Sequence, residues 1–469
     1  MRGSQRQPFH KSFTSKTEHD ILVAELCKKM RGFDRSAQDD CRKRKVLYNS
    51  PSDVPSLNKI VAIDLLTSSV KVEANMTMEA LVEAILPFGF LPSVVAGERT
   101  TTVSDAFAAL TSESSSYAFG TFDCTVTEIE VILGDGRLVY ARPDNPLTAD
   151  LFYGSAGGLN SLGLTTALEV CLVRAGPYVE LVLQPATGVL DSKLTTSEPR
   201  VLSGESAGHS PDTTDTEESD TVCAMEEAEQ MHTNDFVEAM LFQGSSGVII
   251  TGHFSPVASH PTVRTTQDYV RLVASVWHTQ VRIERSMPTL SYLFRNMKYQ
   301  ALRQTDNGQF ALCNEGITTP GDTERAKLQS YGLPRNEVGK FLQTTDVVPV
   351  LVRTVIQAKD VGRRLSLGVG CPFDIEVNLC VSSRYCQDVI EKALLRDRTP
   401  RGFPYLQCRA PCQPEAAWIL HNDRWHLKPW LFHNDQWYVE LRQKWNSKAI
   451  ADISDRVACK NPLRLANLA

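Results

Sequence analysis

Two stretches of the chain combine small residues and hydroxyls in a way that suits holding an anion by the main chain. One runs Thr102-Val103-Ser104-Asp105-Ala106-Phe107-Ala108-Ala109-Leu110-Thr111-Ser112-Glu113-Ser114-Ser115-Ser116. The other runs Asp150-Leu151-Phe152-Tyr153-Gly154-Ser155-Ala156-Gly157-Gly158-Leu159-Asn160-Ser161-Leu162-Gly163-Leu164-Thr165-Thr166. Turns that bring backbone N–H groups close to a phosphate favour Gly, for its φ range and missing Cβ, and small hydroxyl residues that add donors. Each stretch also has an ordinary reading. Glu113 to Ser116 alone is a polar loop, and Gly154 to Gly163 alone is a turn between two strands. Tyr292 and Arg295 read, on residue type alone, as a core tyrosine and a surface arginine.

The elements that would position these stretches follow from periodicity. Thr17 can cap a helix with Asp20 three residues on, placing Ile21, Leu22, Leu26 and Met30 on one face. Ile60–Asp64 and Val70–Ala74 are strand-like, and Met76 to Leu86 is a helix with Met78, Leu81, Val82 and Ile85 inward. Glu128–Leu133, the turn Gly134-Asp135-Gly136 and Arg137–Tyr140 form a hairpin, because an Asp-Gly step supplies the positive φ that the turn needs. Leu168–Val173, Tyr178–Leu183, Asp235–Phe242 and Gly247–Gly252 add strands, and Val355–Arg364 and Cys386–Leu395 look helical. Strands and helices mixed in this order indicate an α+β fold. Thr187 to about Met231 is rich in Ser, Thr, Gly, Asp and Glu, and no Lys or Arg occurs between Val201 and Val263. Such a segment buries too little apolar surface to offset its ordering entropy, so residues 187–231 read as a disordered acidic insertion.

Composition sets outer bounds. The 469 residues are 42% hydrophobic and 22% charged, which is ordinary for a globular protein of two or three domains. A net charge of −6 gives no general reason to expect a nucleic-acid partner, and the basic run Cys41–Lys45 reads as solvated loop. The 12 cysteines form no zinc-type paired arrangement, so free thiols in a reducing, cytoplasmic compartment are expected, with no metal. Met1 to Lys16 lacks an apolar secretory core, and Ala84 to Gly97, the most apolar uncharged stretch, is too short to cross roughly 30 Å of hydrocarbon.

In order and spacing, four stretches together resemble the FAD-binding PCMH-type domain of the vanillyl-alcohol-oxidase superfamily, and specifically its Δ24-sterol reductase branch. They are Val70–Met78, Thr102–Ser116, Gly120-Thr121-Phe122-Asp123 with the hairpin after it, and Asp150–Thr166. Weaker likeness continues in Asp235–Glu238, Val248–Gly252, Tyr292–Arg295, Asp346–Pro349, Cys371-Pro372 and Trp437–Lys444. The resemblance implies a two-subdomain FAD-binding domain over residues 1–176 and an α+β substrate or cap domain over 232–469. By residue-for-residue carry-over it implies cofactor contacts at Asn49, Ser50, Thr102, Val103, Ser104, Ser112, Glu113, Ser114, Ser115, Ser116, Asn160, Ser161, Leu162, Gly163 and Leu164. Tyr292 and Tyr438 are the implied catalytic or pocket residues.

The resemblance also shows where this chain departs. The family's second stretch is T-V-G-G-G-x-x-G-x-x-G-E-S-S-S. Here Ser104, Asp105, Ala106, Ala109 and Ser112 stand in place of its glycines. A carboxylate at Asp105 beside two phosphates costs on the order of 1 to 4 kcal/mol per contact at ~4 Å. No His lies between Cys41 and Pro55 to tether a flavin, so FAD is expected to be non-covalent. The implied activity is NADPH-dependent reduction of the C24–C25 double bond of a sterol or other lipophilic small molecule. Peripheral association with a membrane, that of the endoplasmic reticulum, is left open. The rival readings are an FAD-linked oxidase of an alcohol or natural product, and a flavin-free protein of the same fold.

Overall fold

The structure, a computed structural model, describes residues 12–34, 57–156, 162–186, 220–243 and 246–295. Beyond these it describes the shorter pieces 302–304, 310–312, 327–333, 350–354, 375–381, 403–404, 418–421, 424–427 and 435–445. Asn49, Ser50, Asn160, Ser161, most of the acidic segment and both helices expected beyond Val355 lie outside the described residues.

An N-terminal helix, α1 (Lys16–Asp34), covers the first of two antiparallel sheets. Its cap lies two residues before the expected Thr17. The Ser15 hydroxyl accepts from the Glu18 amide at 3.1 Å, and a Glu18 carboxylate oxygen accepts from the Ser15 amide at 3.0 Å. This reciprocal capping box satisfies two end groups at once, which Thr17 with Asp20 would not do here. The first sheet contains β1 (Ile60–Asp64), β2 (Ser69–Glu73), β3 (Phe90–Pro92), β4 (Val126–Ile132), β5 (Leu138–Ala141) and β6 (Leu164–Arg174). Its order is β1-β2-β6-β4-β5, with β3 also on β6. Helix α2 (Met78–Ile85) packs onto it, with Thr77 capping the Ala80 amide. The four side chains expected to face inward, Met78, Leu81, Val82 and Ile85, are all at 0% exposure. In the β4–β5 turn Gly136 takes φ +79°, the left-handed conformation the Asp-Gly step called for.

Short helices α3 (Val103–Ala108), α4 (Ser116–Phe119) and α5 (Ala149–Ser155) line one side of this layer. Residues Ala175-Gly176-Pro177 then lead from β6 straight into β7 (Tyr178–Ala186), which belongs to the second sheet. Gly176 lies so close to the Ser255 backbone that a Cβ would meet its carbonyl oxygen at 2.3 Å, so only glycine fits the passage.

The expectation of disorder over 187–231 fails at its end. Asp220–Gln230 forms helix α6, anchored by Met225 at 0% and Ala228 at 9% exposure, three residues apart on one face. Strands β8 (Phe236–Gln243) and β9 (Ser246–Ser255), helix α7 (Thr266–Thr279), β10 (Ile283–Pro288) and α8 (Thr289–Leu293) follow. Later come the hairpin β11 (Leu302–Gln304) with β12 (Phe310–Leu312), then β13 (Lys327–Leu333), β14 (Val350–Thr354), β15 (Ile375–Val381) and β16 (Phe403–Pro404). The hairpin β17 (Trp418–His421) with β18 (Arg424–Leu427) and helix α9 (Asp435–Lys444) complete the described elements. The second sheet runs β10-β7-β9-β8-β14-β15-β13-β16. One continuous apolar core joins both sheets, from Ile60 and Val70 to Val248, Tyr269 and Leu351. The α+β reading therefore holds.

Candidate functional site

Thr102 to Thr111 is not an open loop. The Thr102 hydroxyl accepts from the Asp105 amide at 3.1 Å and starts α3. The chain leaves the helix through Leu110, at φ +55°, with Leu110 N–H donating to Phe107 O at 3.3 Å and Thr111 N–H to Ala106 O at 3.0 Å. That is a Schellman ending, here with a leucine in the left-handed position that glycine prefers. The remaining amides of the first turn also have protein partners. Val103 donates to Met76 O at 2.9 Å, Ser104 to Ala74 O at 3.0 Å and Ala106 to Thr102 O at 3.0 Å. Phe107 is in the core, edge-on to Phe152 with ring centroids 5.4 Å apart. Burial raises the Asp105 carboxyl above its ordinary value, against the opposing bonds from Thr102. The segment that in the family pattern cradles a diphosphate is therefore a capped helix whose four leading amides are all engaged. As folded it does not fit a pyrophosphate.

The second stretch gives a similar result where it is described. Leu162 is core, and Leu164 opens β6 opposite Ile132. Gly163 presses on β4 so closely that a Cβ would meet Val131 Cγ1 at 2.2 Å, so packing accounts for the glycine.

Glu113 to Ser116 are buried at 0–7% exposure and form the contact between the two sheets. The Glu113 carboxylate takes the Gly97 amide at 2.8 Å and pairs with Arg353 Nη2 at 2.9 Å. The Arg353 Nη1 group donates to Ser112 O at 3.3 Å. Ser114 Oγ accepts from Arg295 Nη2 at 3.0 Å and lies 3.3 Å from the Tyr292 hydroxyl. Ser115 donates to Ser93 O at 2.9 Å, and Ser116 Oγ accepts from the Glu113 amide at 2.9 Å. Glu238 on β8 sits between the two arginines, with Oε1 2.7 Å from Arg295 Nη2 and Oε2 3.4 Å from Arg353 Nε. Burial alone would raise the Glu238 carboxyl; the paired charges, Arg295 first, outweigh that and hold it below its usual range. The arginine read from sequence as a surface group is thus 1% exposed.

Tyr292 lies under Arg295, with the guanidinium 3.8 Å from its ring centroid, and burial pushes its hydroxyl well above the ordinary range. It braces the arginine. Tyr438 is on α9, and its side chain lies outside the described residues.

Beside this network is a cavity of about 280 Å³. Ser114, Ser115 and Arg295 form one wall, and Leu91, Val95, Phe119, Val173, Phe236 and Phe254 supply most of the rest. Asp235, just before β8, is a lining carboxyl with no ion pair among the described residues. Oδ2 accepts from the Phe254 amide at 2.7 Å, and burial raises the group above its ordinary value despite that bond and nearby His253. Burial of this kind favours the neutral carboxyl over the charged one. Arg174, exposed and laid over the Phe90 ring at 5.6 Å, and Phe119, 37% exposed, stand at the lip. Sequence reasoning quoted Asp235 only as part of a weak family match. Its placement comes from the β8–β9 register, in which Phe236 faces Gly252. Among the described residues no group of three His, Cys, Asp or Glu side chains could hold a metal ion.

No family model matches the chain. It is 29% identical over 203 residues to a Delta(24)-sterol reductase of Pisum sativum, covering 43% of this chain and 32% of the relative. Against the Delta(24)-sterol reductase of Homo sapiens the identity is 25% over 217 residues, covering 46% and 36%. A decaprenylphosphoryl-β-D-ribose oxidase of Mycolicibacterium smegmatis is 31% identical over 164 residues, covering 35% of each chain. The matches thus span about a third of these curated relatives, all of which are named as oxidoreductases. Together with the sheet that the described residues between Val70 and Thr166 build, these likenesses support a diverged relative of the Δ24-sterol reductases.

Proposed function

We propose that the chain is an FAD-linked oxidoreductase that reduces the C24–C25 double bond of a sterol side chain, with NADPH as electron donor and FAD held non-covalently. The observation that carries this reading is the apolar cavity walled by Ser114 and Ser115, with the Asp235 carboxyl, raised above its ordinary value by burial, in its lining. An isolated alkene is weakly electrophilic, so its reduction depends on a positioned acid; general acids of this kind contribute about 10²–10⁴-fold. Asp235 fits that role better than Tyr292, whose hydroxyl is held at Ser114 and is not part of the cavity lining. A PCMH-type arrangement of the first 176 residues and a substrate or cap role for 232–469 belong to the same reading. In it, diphosphate contacts come from the stretches around Asn49-Ser50 and Asn160-Ser161 rather than from α3. A lipophilic substrate implies uptake from a membrane surface, that of the endoplasmic reticulum facing the cytoplasm. Among the described residues no helix is long and apolar enough to cross one.

The closed form of Thr102–Thr111 favours a second reading, a flavin-free protein that keeps the fold. The visible spectrum of the purified full chain, before and after incubation with FAD, tests both. Flavin bands bleached by NADPH support the reductase, and bleaching by an alcohol instead supports an oxidase. A sample that stays colourless supports the flavin-free protein and overturns the redox assignment.

A further inference from the structure

Asp235 has committed only one of its carboxylate oxygens. Oδ2 accepts from the Phe254 amide, while Oδ1 has no hydrogen-bond partner among the described residues. The main chain that carries this carboxyl is itself tied down. The Asp235 amide donates to Gly252 O at 2.8 Å. The preceding residue, Asn234, donates its amide to Met231 O at 3.0 Å and its Nδ2 to Ala228 O at 2.8 Å, which joins it to the end of α6. A further tie comes from α4, where the Tyr117 hydroxyl donates to Asn234 O. Phe119 on the same helix lines the cavity, whereas Tyr117 is not among its lining residues. Burial first, then the negative charges of Asp235 and Glu229, push the Tyr117 hydroxyl up to about 12. The phenol therefore keeps its proton, and with it the bond, through the neutral range.

From this geometry, and resting on the reading of Asp235 as the acid, we infer that Tyr117 is a positioning residue for the cavity carboxyl. By holding the carbonyl one residue upstream, it fixes the peptide on which Asp235 stands. Oδ2 then stays on the Phe254 amide, and Oδ1 is left to the cavity. Without the phenol, the Asn234 carbonyl turns to water for its hydrogen bond, because a partly buried acceptor does not stay unpaired. Water that reaches this carbonyl also reaches the neighbouring carboxyl and weakens the burial that favours its neutral form. The titratable and charged groups around Asp235 are His253 on β9, Tyr117 on α4, Glu229 on α6 near that tyrosine, and Glu113, Arg174 and Arg295 in the cavity wall. Tyr117→Phe leaves every one of these charges in place. A change in how Asp235 titrates in that variant therefore reports position and solvent entry, not a lost charge.

Carbon-13 NMR titration of the full chain, labelled at the aspartate carboxyl carbon, tests this, with Asp235→Asn identifying the Asp235 signal. In Tyr117→Phe the Asp235 midpoint is expected to fall toward that of an ordinary aspartate. In the reductase reading, turnover of a sterol with a C24–C25 double bond falls about 10- to 100-fold with KM little changed, and the upper limb of the pH–rate profile moves down with the carboxyl. Should Tyr117→Phe not fold, 3-fluorotyrosine at position 117 keeps the ring and the hydroxyl, and its fluorine signal is expected to follow the Asp235 titration. A Tyr117→Phe chain that only melts earlier, with midpoint and limb unchanged, overturns the positioning role, as does a fluorine signal blind to Asp235. The NMR readout needs no flavin, so it decides the matter in a colourless protein as well. A midpoint that moves without any change in turnover keeps the positioning residue and removes Asp235 from the chemistry. A midpoint that stays put while Asp235→Asn is inactive keeps the acid and loses the positioning residue.

Discussion

Arg295 and Glu238 meet at 2.7 Å with both side chains at 1% exposure or less, one carried two residues past α8 and the other by β8. Arg353 on β14 adds a second guanidinium to the same carboxylate, and Glu113 adds a second carboxylate to that guanidinium. The two positive and two negative charges balance inside the protein. Removing Glu238 leaves two arginines facing each other in a low-dielectric seam. The Glu238→Ala protein is expected to lose about 3–5 kcal/mol, the usual cost of breaking a buried pair from one side. A shift in the urea midpoint reads it directly. An effect below about 1 kcal/mol would mean that water reaches the seam.

His19 gives α1 a pH-dependent hold on the first sheet. Its Nδ1 lies 2.9 Å from Glu73 and its Nε2 3.0 Å from Glu130, with the ring 1% exposed. Burial opposes the charged ring, but the two carboxylates prevail and lift it to about 9. Glu130 moves the other way: burial opposes ionisation, yet bonds from His19 and Thr166 bring it to about 2. A raised histidine stabilises fully below about 6.5 and loses its contribution as pH rises through about 9. A lowered glutamate contributes above about 4.5 and fades as pH falls through about 2. Hydrogen exchange of the α1 amides is therefore expected to quicken between pH 7 and 9.5, after correction for intrinsic rate. His19→Gln should flatten that dependence.

Gly163 separates packing from ligand binding. With Val131 Cγ1 at 2.2 Å from an added Cβ, Gly163→Ala is expected to cost about 1–3 kcal/mol by overpacking. Any FAD affinity should remain unchanged. A loss of affinity at unchanged thermal stability would restore this glycine to the cofactor site.

Asp235→Asn tests the acid. In the reductase reading, turnover of a sterol with a C24–C25 double bond falls by about 10²–10⁴-fold, while affinity for it changes little. Because the folded carboxyl is raised, wild-type turnover should decline as pH climbs past that group, and the variant should lack that limb. A variant with wild-type turnover removes Asp235 from the chemistry.

What the sequence made legible was local. Helix α2 could be read because Met78, Leu81, Val82 and Ile85 repeat at helical spacing after a threonine cap, and the β4–β5 hairpin because its turn contains Asp-Gly. Helix α3 carried an equally local signal, with Thr102 as cap and Val103, Ala106 and Phe107 on one face. The family pattern pointed instead to a loop, and the side chains that replaced glycine favoured the helix. The site itself was hidden by distance along the chain. Arg353 is 115 residues from Glu238, and the strand pairing of β14 with β8, Val352 opposite Ala239, brings them together. Periodicity does not report such pairings, and an arginine between apolar neighbours reads as a strand's solvent face until the partner carboxylate is known.

The passage at Ala175-Gly176-Pro177 has a mechanical consequence. Three residues join the two sheets, Gly176 among them packs directly on the Ser255 backbone, and the arginine–carboxylate cluster ties Glu113 and Ser114 to the second sheet elsewhere. The halves resemble a clasped book more than a hinged one. Guest molecules must then come and go by side-chain rotation at the Phe119–Arg174 threshold, and the exchange rate should follow the bulk of those two groups rather than any swing of one half against the other.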